Sequence, residues 1–183
     1  MATVPSYISV KKHYEASPQT VRDYFSNFES LIDDYEYQVV VAYCFFRLEA
    51  AYNRTLYGGV RKLHKADQQL AKSVIDKQHL TRDGFLDLYA NVFGKALPTL
   101  TAAKIKFAEG VRDRVVHGKN ITDADARKCL TDLIVFSCEL EQHVQSIASF
   151  SPFGTMKGLL GAGKSLDART TRWLMKGLGF SVA

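Results

Sequence analysis

The 183-residue sequence predicts an all-α fold, a bundle of four to six helices followed by a glycine-rich, basic C-terminal extension. Apolar residues recur at helical spacing through most of the chain, and capping residues or glycines separate the apolar segments. Because 46% of the residues are hydrophobic, the chain can form one globular core of ordinary size. We therefore predict a helical bundle over residues 1–150 and a tail over residues 151–183.

The first half of the chain contains two predicted core helices. Residues 1–16 are polar and aperiodic, so we expect an arm that becomes ordered on contact. Ser17-Pro18 is typical of a helix start, with Ser17 as N-cap and Pro18 in the first helical position. The apolar positions that follow have helical spacing: Val21, Tyr24, Phe25, Phe28, Leu31 and Ile32.

A second helix is predicted from about residue 34 to residue 57, ended by Gly58-Gly59. It is apolar on most of its surface, which places it at the centre of the bundle and its Phe and Tyr residues in the core. A polar helix follows at about 61–77. Its basic residues are interpreted as a solvated face: Arg61, Lys62, His64 and Lys65.

Three further helices are predicted before residue 150. Thr81 caps a short helix that ends at Gly94, and a second helix begins at Pro98. Thr122 caps the last helix, which runs to about residue 147 with Leu130, Leu133, Ile134, Phe136, Leu140 and Val144 facing inward. His143, late on this helix, is expected at the surface.

Three cysteines, Cys44, Cys129 and Cys138, have no C-x-x-C spacing. Cys44 and Cys129 lie in apolar segments, where a free cysteine behaves as a small hydrophobic residue. We expect a reducing cytoplasm, no disulfide framework and no zinc site. The sequence shows neither a signal-peptide core near its start nor an apolar run of membrane-spanning length, so no membrane association is expected.

The tail supplies four of the five net positive charges, since five basic residues after Ser151 face one acid, Asp167. Gly158–Ser165 has the spacing G-x-x-x-x-G-K-S of a phosphate-binding P-loop. No strand–helix–strand pattern surrounds it, which argues against a nucleotide triphosphatase. We expect a flexible glycine-rich hinge, then an amphipathic helix over 167–176 that carries Trp173.

Residues suited to phosphate chemistry are concentrated in the stretch Arg112-Asp113-Arg114-Val115-Val116-His117-Gly118. Arginine holds phosphate through a planar fork of donors, and histidine exchanges a proton near neutral pH. On a regular helix Arg112 and His117 lie about 140° apart with about 7.5 Å of rise between them. Arg114 and His117 share a face, and the two valines are expected to anchor the opposite side in the core.

The pattern Arg112-Asp113-x-x-x-His117, late in an all-helical domain, resembles the signature of the HEPN superfamily. The resemblance covers residues 18–150. It implies a HEPN-like bundle that dimerises, so that the Arg and His of both subunits meet in a cleft at the interface. Many members are metal-independent endoribonucleases that act as toxins, in phage defence or in RNA processing.

The resemblance therefore implies an endoribonuclease toxin or phage-defence effector, with an RNA substrate, no cofactor and no metal, in the cytoplasm that the cysteines indicate. His117 would act as general base or acid, Arg112 would stabilise charge on the phosphate, and Asp113 would orient either group. Arg114, Lys119 and Asn120 would contact RNA. The tail over 151–183 lies outside the resemblance, and its basic helix could dock on the bundle, on the second subunit, on RNA, or on an antitoxin or another protein partner.

Two alternatives stay open at this stage. Arg112 could pair only with a nearby carboxylate while His117 interacts with the negative end of its helix. The chain could also be a non-catalytic HEPN-like module that binds a nucleotide or a protein. The resemblance favours catalysis over the first alternative, and intact Arg112 and His117 favour it over the second.

Overall fold

A computed structural model describes residues 7–182, which form nine α-helices and no β-strand. The all-α prediction is confirmed, while the number of helices exceeds the predicted four to six. The helices are α1 (Ile8–Glu15), α2 (Gln19–Tyr24), α3 (Phe28–Asp34), α4 (Tyr37–Lys62), α5 (Gln68–Ile75), α6 (Arg82–Phe93), α7 (Thr99–Val116), α8 (Asp123–Ala148) and α9 (Ala168–Gly177). Among these residues, none of the helices is long and apolar enough to cross a membrane.

The chain divides into two compact units, and the division falls inside two helices. The first unit contains residues up to Glu49 and the segment Pro98–Leu140, and the second contains Ala50–Leu97 and Glu141–Ala183. The division that we predicted, 1–150 and 151–183, stays a prediction.

In the first unit, α1 occupies part of the segment 1–16, for which the sequence predicted an aperiodic arm that becomes ordered on contact; residues 1–6 of this segment lie outside the described residues. The helix forms because Val10 and Tyr14 on one face are buried, and the Tyr14 hydroxyl donates to the carbonyl oxygen of Arg22 at 2.9 Å. The predicted cap at Ser17 is also wrong. The Ser17 hydroxyl donates back to the carbonyl oxygen of His13 at 2.8 Å, and Pro18 is the N-cap of α2.

Apolar side chains of α2, α3, α4, α7 and α8 form the core of the first unit. The inward residues predicted from helical spacing are buried, with the exception of the half-buried Leu31. Cys44 and Cys129 are fully buried among them, as their apolar neighbours predicted. Phe46 on α4 is an exception to the predicted core, because its side chain is 71% exposed.

In the second unit, α4 continues through Gly58-Gly59 instead of ending there. A Cβ atom on Gly58 would collide with the Phe150 ring, and one on Gly59 would collide with Val92 and Phe93. The two glycines therefore allow α4 to pack closely against Phe150 and against α6, and they do not stop the helix. As a result, Arg61 and Lys62 belong to the last turn of α4, and the predicted polar helix begins only at Gln68, capped by Asp67.

Local capping signals predict the later helices correctly. The Thr81 hydroxyl accepts from the amide of Gly84 at the start of α6, and Gly94 ends this helix with a φ of +65°. In the tail, Asp167 caps α9 by accepting from the amide of Thr170 at 3.0 Å. Helix α9 packs on α5, and the Thr171 hydroxyl accepts a 2.7 Å hydrogen bond from the Asp67 amide.

The junction between α7 and α8 positions the sequence motif at a helix end. Gly118 has a φ of +64°, and its amide bonds to the carbonyl of Val115 while the amide of Lys119 bonds to the carbonyl of Arg114. This pair of bonds is a Schellman motif, which requires a left-handed residue just past the helix. Thr122 then caps α8, with its hydroxyl 3.1 Å from the Asp125 amide. Both predicted boundaries are confirmed.

Candidate functional site

Arg112 lies on α7 in the first unit and faces α4. Its guanidinium carbon is 5.2 Å from the centre of the Phe45 ring, within the range of a cation–π contact. The side chain is 32% exposed. Because Phe45 is itself buried, the aromatic ring gives the guanidinium a fixed surface to rest on.

Two carboxylates lie near the same guanidinium. Asp113 Oδ1 is 3.2 Å from Arg112 Nε, and Glu49 Oε1 is 3.9 Å from Arg112 Nη1. Both carboxylate side chains are more than half exposed, and such surface pairs are worth about 0–1 kcal/mol. The two non-bridging oxygens of a phosphodiester match the planar fork of a guanidinium, so a phosphodiester can compete with these weakly held carboxylates.

Arg112 makes no hydrogen bond to any of residues 7–182, although it lies beside these acids. Its Nε–H is buried and unsatisfied, since the contact with Asp113 lacks the alignment of a hydrogen bond. The guanidinium is thus held in position by an aromatic ring and weak ion pairs while its donors remain unused. Unused donors on a restrained arginine are the feature that oxyanion recognition requires.

His117 is the C-cap residue of α7, and its side chain is exposed. Its backbone amide donates to the carbonyl of Asp113 at 3.1 Å, which fixes the backbone at this position. The imidazole ring has no hydrogen bond or ion pair within the part of the chain that the structure describes. The ring is consequently available to a substrate, a second chain or solvent.

The prediction that the neighbouring valines anchor this turn in the core is wrong. Val116 is 65% exposed and Val115 is only half-buried. Burial on α7 instead follows Thr101, Ile105, Ala108 and Val111, so the inward face of the helix has ended before the motif's last turn. The exposed Val116 leaves an apolar side chain directly beside His117.

Of the residues predicted to contact RNA, Arg114 is engaged within the unit. Its Nη1 lies 3.1 Å from Asp125 Oδ2 in the first turn of α8, and its Nε donates to the Gly110 carbonyl at 3.4 Å. Lys119 and Asn120 follow the helix end with exposed side chains. Arg112 and Asp113 thus lie within ion-pair distance, and Arg114 forms an ion pair with α8. The side chains of His117, Lys119 and Asn120 are exposed.

Arg112 and His117 diverge within one chain. Arg112 belongs to the regular part of α7, and His117 continues the helix with a φ of −88° and a ψ of 14°. Helical geometry therefore separates their Cα directions by about 140° and by about 7.5 Å along the axis. One copy of the motif presents the two groups toward different sides of the helix end.

Sequence reasoning missed Phe45 and Glu49 as part of this site. They lie four residues apart on α4, on one helical face, and meet Arg112 across more than sixty residues of sequence. The apolar run that contains Phe45 predicted only a core position. No local signal marks these two residues, because their role depends on how α4 and α7 pack.

Other titratable groups are explained by packing. His143 is half-buried in the second unit rather than at the surface, with Nδ1 2.6 Å from the Tyr89 hydroxyl. Burial, with a smaller effect from Lys95, lowers the pKa of His143, and burial raises the pKa of the Cys129 thiol to about 12. Within residues 7–182, no three His, Cys, Asp or Glu side chains cluster in a way that could hold a metal ion.

The chain matches no protein-family model, no curated protein and no solved structure. The motif and the geometry around it therefore carry the functional proposal.

Proposed function

We propose that this protein is a HEPN-like, metal-independent endoribonuclease whose active site is completed by a second copy of the chain. The observation that carries the proposal is the state of Arg112, which is held against Phe45 with its hydrogen-bond donors unused. The exposed imidazole of His117, five residues further on, supplies the second chemical group that phosphodiester cleavage needs.

In the proposed reaction, the His117 imidazole of one subunit removes the proton from a ribose 2′-hydroxyl. The 2′-oxygen then attacks the adjacent phosphorus and the bond to the 5′-oxygen breaks. Arg112 stabilises the extra negative charge on the phosphate oxygens during this step. A protonated imidazole returns a proton to the leaving 5′-oxygen, so the products are a 2′,3′-cyclic phosphate and a 5′-hydroxyl end.

A second copy is required because one chain directs Arg112 and His117 to different sides of the helix end. Exposed apolar side chains near both groups support contact between copies. On α4, Val39, Ala42 and Phe46 lie at helical spacing on an exposed face, and Glu49 continues that face. Val116 extends the apolar surface beside His117. An exposed apolar surface of this kind is typical of an interface.

The proposed substrate is RNA, because attack by the 2′-hydroxyl is impossible on DNA. Lys119 and Asn120 are exposed next to His117 and can contact the phosphates that flank the cleaved one. Asp113, beside Arg112, is proposed to orient the guanidinium. Arg114 is a weaker candidate for RNA contact, since its ion pair with Asp125 has to open first.

A toxin or phage-defence role, and a protein partner bound through the 151–183 tail, complete the proposal. The tail presents Trp173 with 72% exposure among basic residues of α9, a combination suited to an acidic partner surface. The alternative function is a non-catalytic HEPN-like module that binds a nucleotide or a protein. The carboxylates beside Arg112 favour this alternative, because they partly neutralise the charge that catalysis uses.

The two functions are separated by an RNA-cleavage assay in EDTA. The wild-type protein is expected to produce 2′,3′-cyclic phosphate ends, and His117→Ala and Arg112→Ala are each expected to lower the rate about 10²- to 10⁴-fold. His79→Ala is the matched control, since His79 is also an exposed histidine and lies in the second unit. Equal cleavage by wild type and His117→Ala, or no cleavage by either, contradicts the proposal that the protein is a ribonuclease.

A further inference from the structure

Two sequence features that the proposed ribonuclease does not use meet in the second unit. The basic residues at the end of α4 and the glycine-rich segment Gly158–Ser165 are about a hundred residues apart in sequence. In the structure, Arg61 Nη1 donates to the Ser165 hydroxyl at 3.1 Å. The amide of Leu166 donates to the carbonyl of Lys65 at 2.8 Å. The glycine-rich segment is therefore fixed against the C-terminal end of α4 by hydrogen bonds.

Arg61 is buried, with 6% of its surface exposed, where the sequence predicted a solvated basic face. Its Nη1 donates to the carbonyl of Ala66 and to the Ser165 hydroxyl, and both acceptors are neutral. No carboxylate of residues 7–182 lies within ion-pair distance of this guanidinium. Buried charges are normally paired with an opposite charge, so Arg61 lacks the counter-charge that its burial calls for.

The surroundings of Arg61 add positive charge. Lys62, Lys65 and Lys164 are close in sequence to the hydrogen-bonded contacts, and the Lys65 ammonium donates only to the carbonyl of Lys62, at 3.0 Å. The nearest acids in sequence are used elsewhere. Asp67 accepts from the Leu70 amide as the cap of α5, and Asp167 caps α9. The local balance therefore has more positive charges than negative ones.

The glycine-rich segment folds into tight turns that leave the backbone amides of Ala162, Lys164 and Ser165 without an acceptor among residues 7–182. Gly158 and Gly161 have φ values of +70° and +57°, and the Gly161 amide bonds to the Gly158 carbonyl in a tight turn. A Cβ atom on Gly163 would lie 3.3 Å from the Lys65 side chain, so glycine at this position allows the segment to pack closely against that lysine. Glycine-rich turns beside cationic side chains are a recurring way to hold phosphate.

We infer that the end of α4 and the segment Gly158–Ser165 form a binding site for a phosphate group, with Arg61 providing its buried charge. The site is not a P-loop, because a loop precedes the segment and Ser165 bonds to Arg61 and Ala66 rather than facing a strand. It binds without any chemical step. The phosphate is presented either by a free nucleotide or by an RNA strand, and the site is independent of Arg112 and His117.

Calorimetric titration of the full chain at low salt tests this site with three probes: inorganic phosphate, ATP and a single-stranded RNA oligonucleotide. The double variant Lys62→Ala/Lys164→Ala removes two surface charges without altering the buried hydrogen bonds of Arg61. We expect it to weaken binding at least about tenfold, the loss for charge-assisted phosphate contacts. Arg61→Lys retains the charge but loses the planar fork, and is expected to weaken binding while the fold is kept.

Lys176→Ala is the matched control, since Lys176 is an exposed lysine of the tail on α9. Binding of ATP and phosphate would show that the site takes free nucleotides, and binding of RNA alone would show that it takes an RNA strand. Either result supports the site if the double variant loses the binding and Lys176→Ala retains it. Repeating the titrations in the His117→Ala background, where the proposed ribonuclease cannot cleave the RNA, separates this site from the proposed catalytic one, because the double variant should lose the same binding there. The site is overturned if none of the three probes binds, or if the double variant binds them as tightly as the control.

Discussion

The guanidinium carbon of Arg112 lies 5.2 Å from the centre of the Phe45 ring, on the side of α7 that faces α4. Phe45 is buried, and Glu49, one turn further along α4, approaches the same guanidinium at 3.9 Å. An aromatic ring and a carboxylate one helical turn apart thus orient one arginine without using its hydrogen-bond donors. This arrangement supports the proposal that Arg112 binds a phosphate oxyanion.

The first prediction concerns the competition between Glu49 and that oxyanion. Glu49→Gln removes a negative charge 3.9 Å from Arg112 and is expected to lower KM for RNA about two- to fivefold, with kcat little changed. Steady-state cleavage of a fluorogenic RNA measures both constants. Asp34→Asn removes an exposed charge from the same unit and should leave KM within about twofold. A raised KM in Glu49→Gln would show that the acid assists binding instead.

A second prediction concerns the exposed apolar face of α4. Phe46 is 71% exposed and precedes Glu49 by three residues on that face, so Phe46→Asp is expected to separate dimers into monomers. Sedimentation velocity at micromolar concentration measures the change. Trp173→Asp alters an equally exposed aromatic residue on α9 and should leave the dimer intact. A monomeric wild type, or a dimer unaffected by Phe46→Asp, would count against the interface on α4.

A third prediction compares two glycines of the motif region. Gly118 has a φ of +64° at the end of α7, so Gly118→Ala is expected to lower the free energy of unfolding by about 1 kcal/mol. Gly110 lies inside α7 with open space around its Cβ position, so Gly110→Ala should raise that free energy by about 0.5–1 kcal/mol. Urea denaturation measures both changes. The two substitutions should change the free energy of unfolding in opposite directions. A stabilising Gly118→Ala would contradict the helix end assigned at Gly118.

A fourth prediction concerns pH and Glu139 on α8. Burial acts to raise the pKa of Glu139, but hydrogen bonds from the Lys104 ammonium at 2.9 Å and the Thr101 hydroxyl at 2.7 Å outweigh it and leave the pKa lowered. A carboxylate with a lowered folded pKa stabilises the protein above its unfolded pKa, and this stabilisation is lost as the pH falls through the folded value.

Wild type is therefore expected to lose about 1 kcal/mol relative to Glu139→Gln between about pH 6 and about pH 3, measured by urea denaturation at each pH. Glu36→Gln, which alters an exposed acid before α4, should follow the wild-type curve. Parallel curves for wild type and Glu139→Gln would show that the ion pair with Lys104 contributes nothing to the folded state.

Helix ends set by neighbouring residues were predictable from the sequence. Thr81, Gly118, Thr122 and Asp167 mark real boundaries because a side-chain cap or a left-handed glycine acts within a few residues of the chain. The continuation of α4 through Gly58 was not predictable. At Gly58, packing against Phe150, which lies about ninety residues away, outweighs the local preference of glycine for helix ends.

Part of the candidate site could likewise be predicted from the sequence, and part could not. The composition of the motif identifies Arg112 and His117, and the helical period alone shows that they diverge. The contacts of Arg112 with Phe45 and Glu49, and those of Arg61 with Ser165, depend on long-range packing that no local pattern encodes. Val116 was placed in the core by its hydrophobicity, yet α7 turns its last residues outward.

The composite active site is tested most directly by mixing two inactive variants, Arg112→Ala and His117→Ala, after dissociation and reassociation. In a two-fold dimer, a mixed pair contains one site with both wild-type groups and one with neither. Random pairing makes half of the dimers mixed, so the mixture should regain about a quarter of wild-type ribonuclease activity. A mixture that stays as inactive as either variant alone would contradict a site shared between two chains.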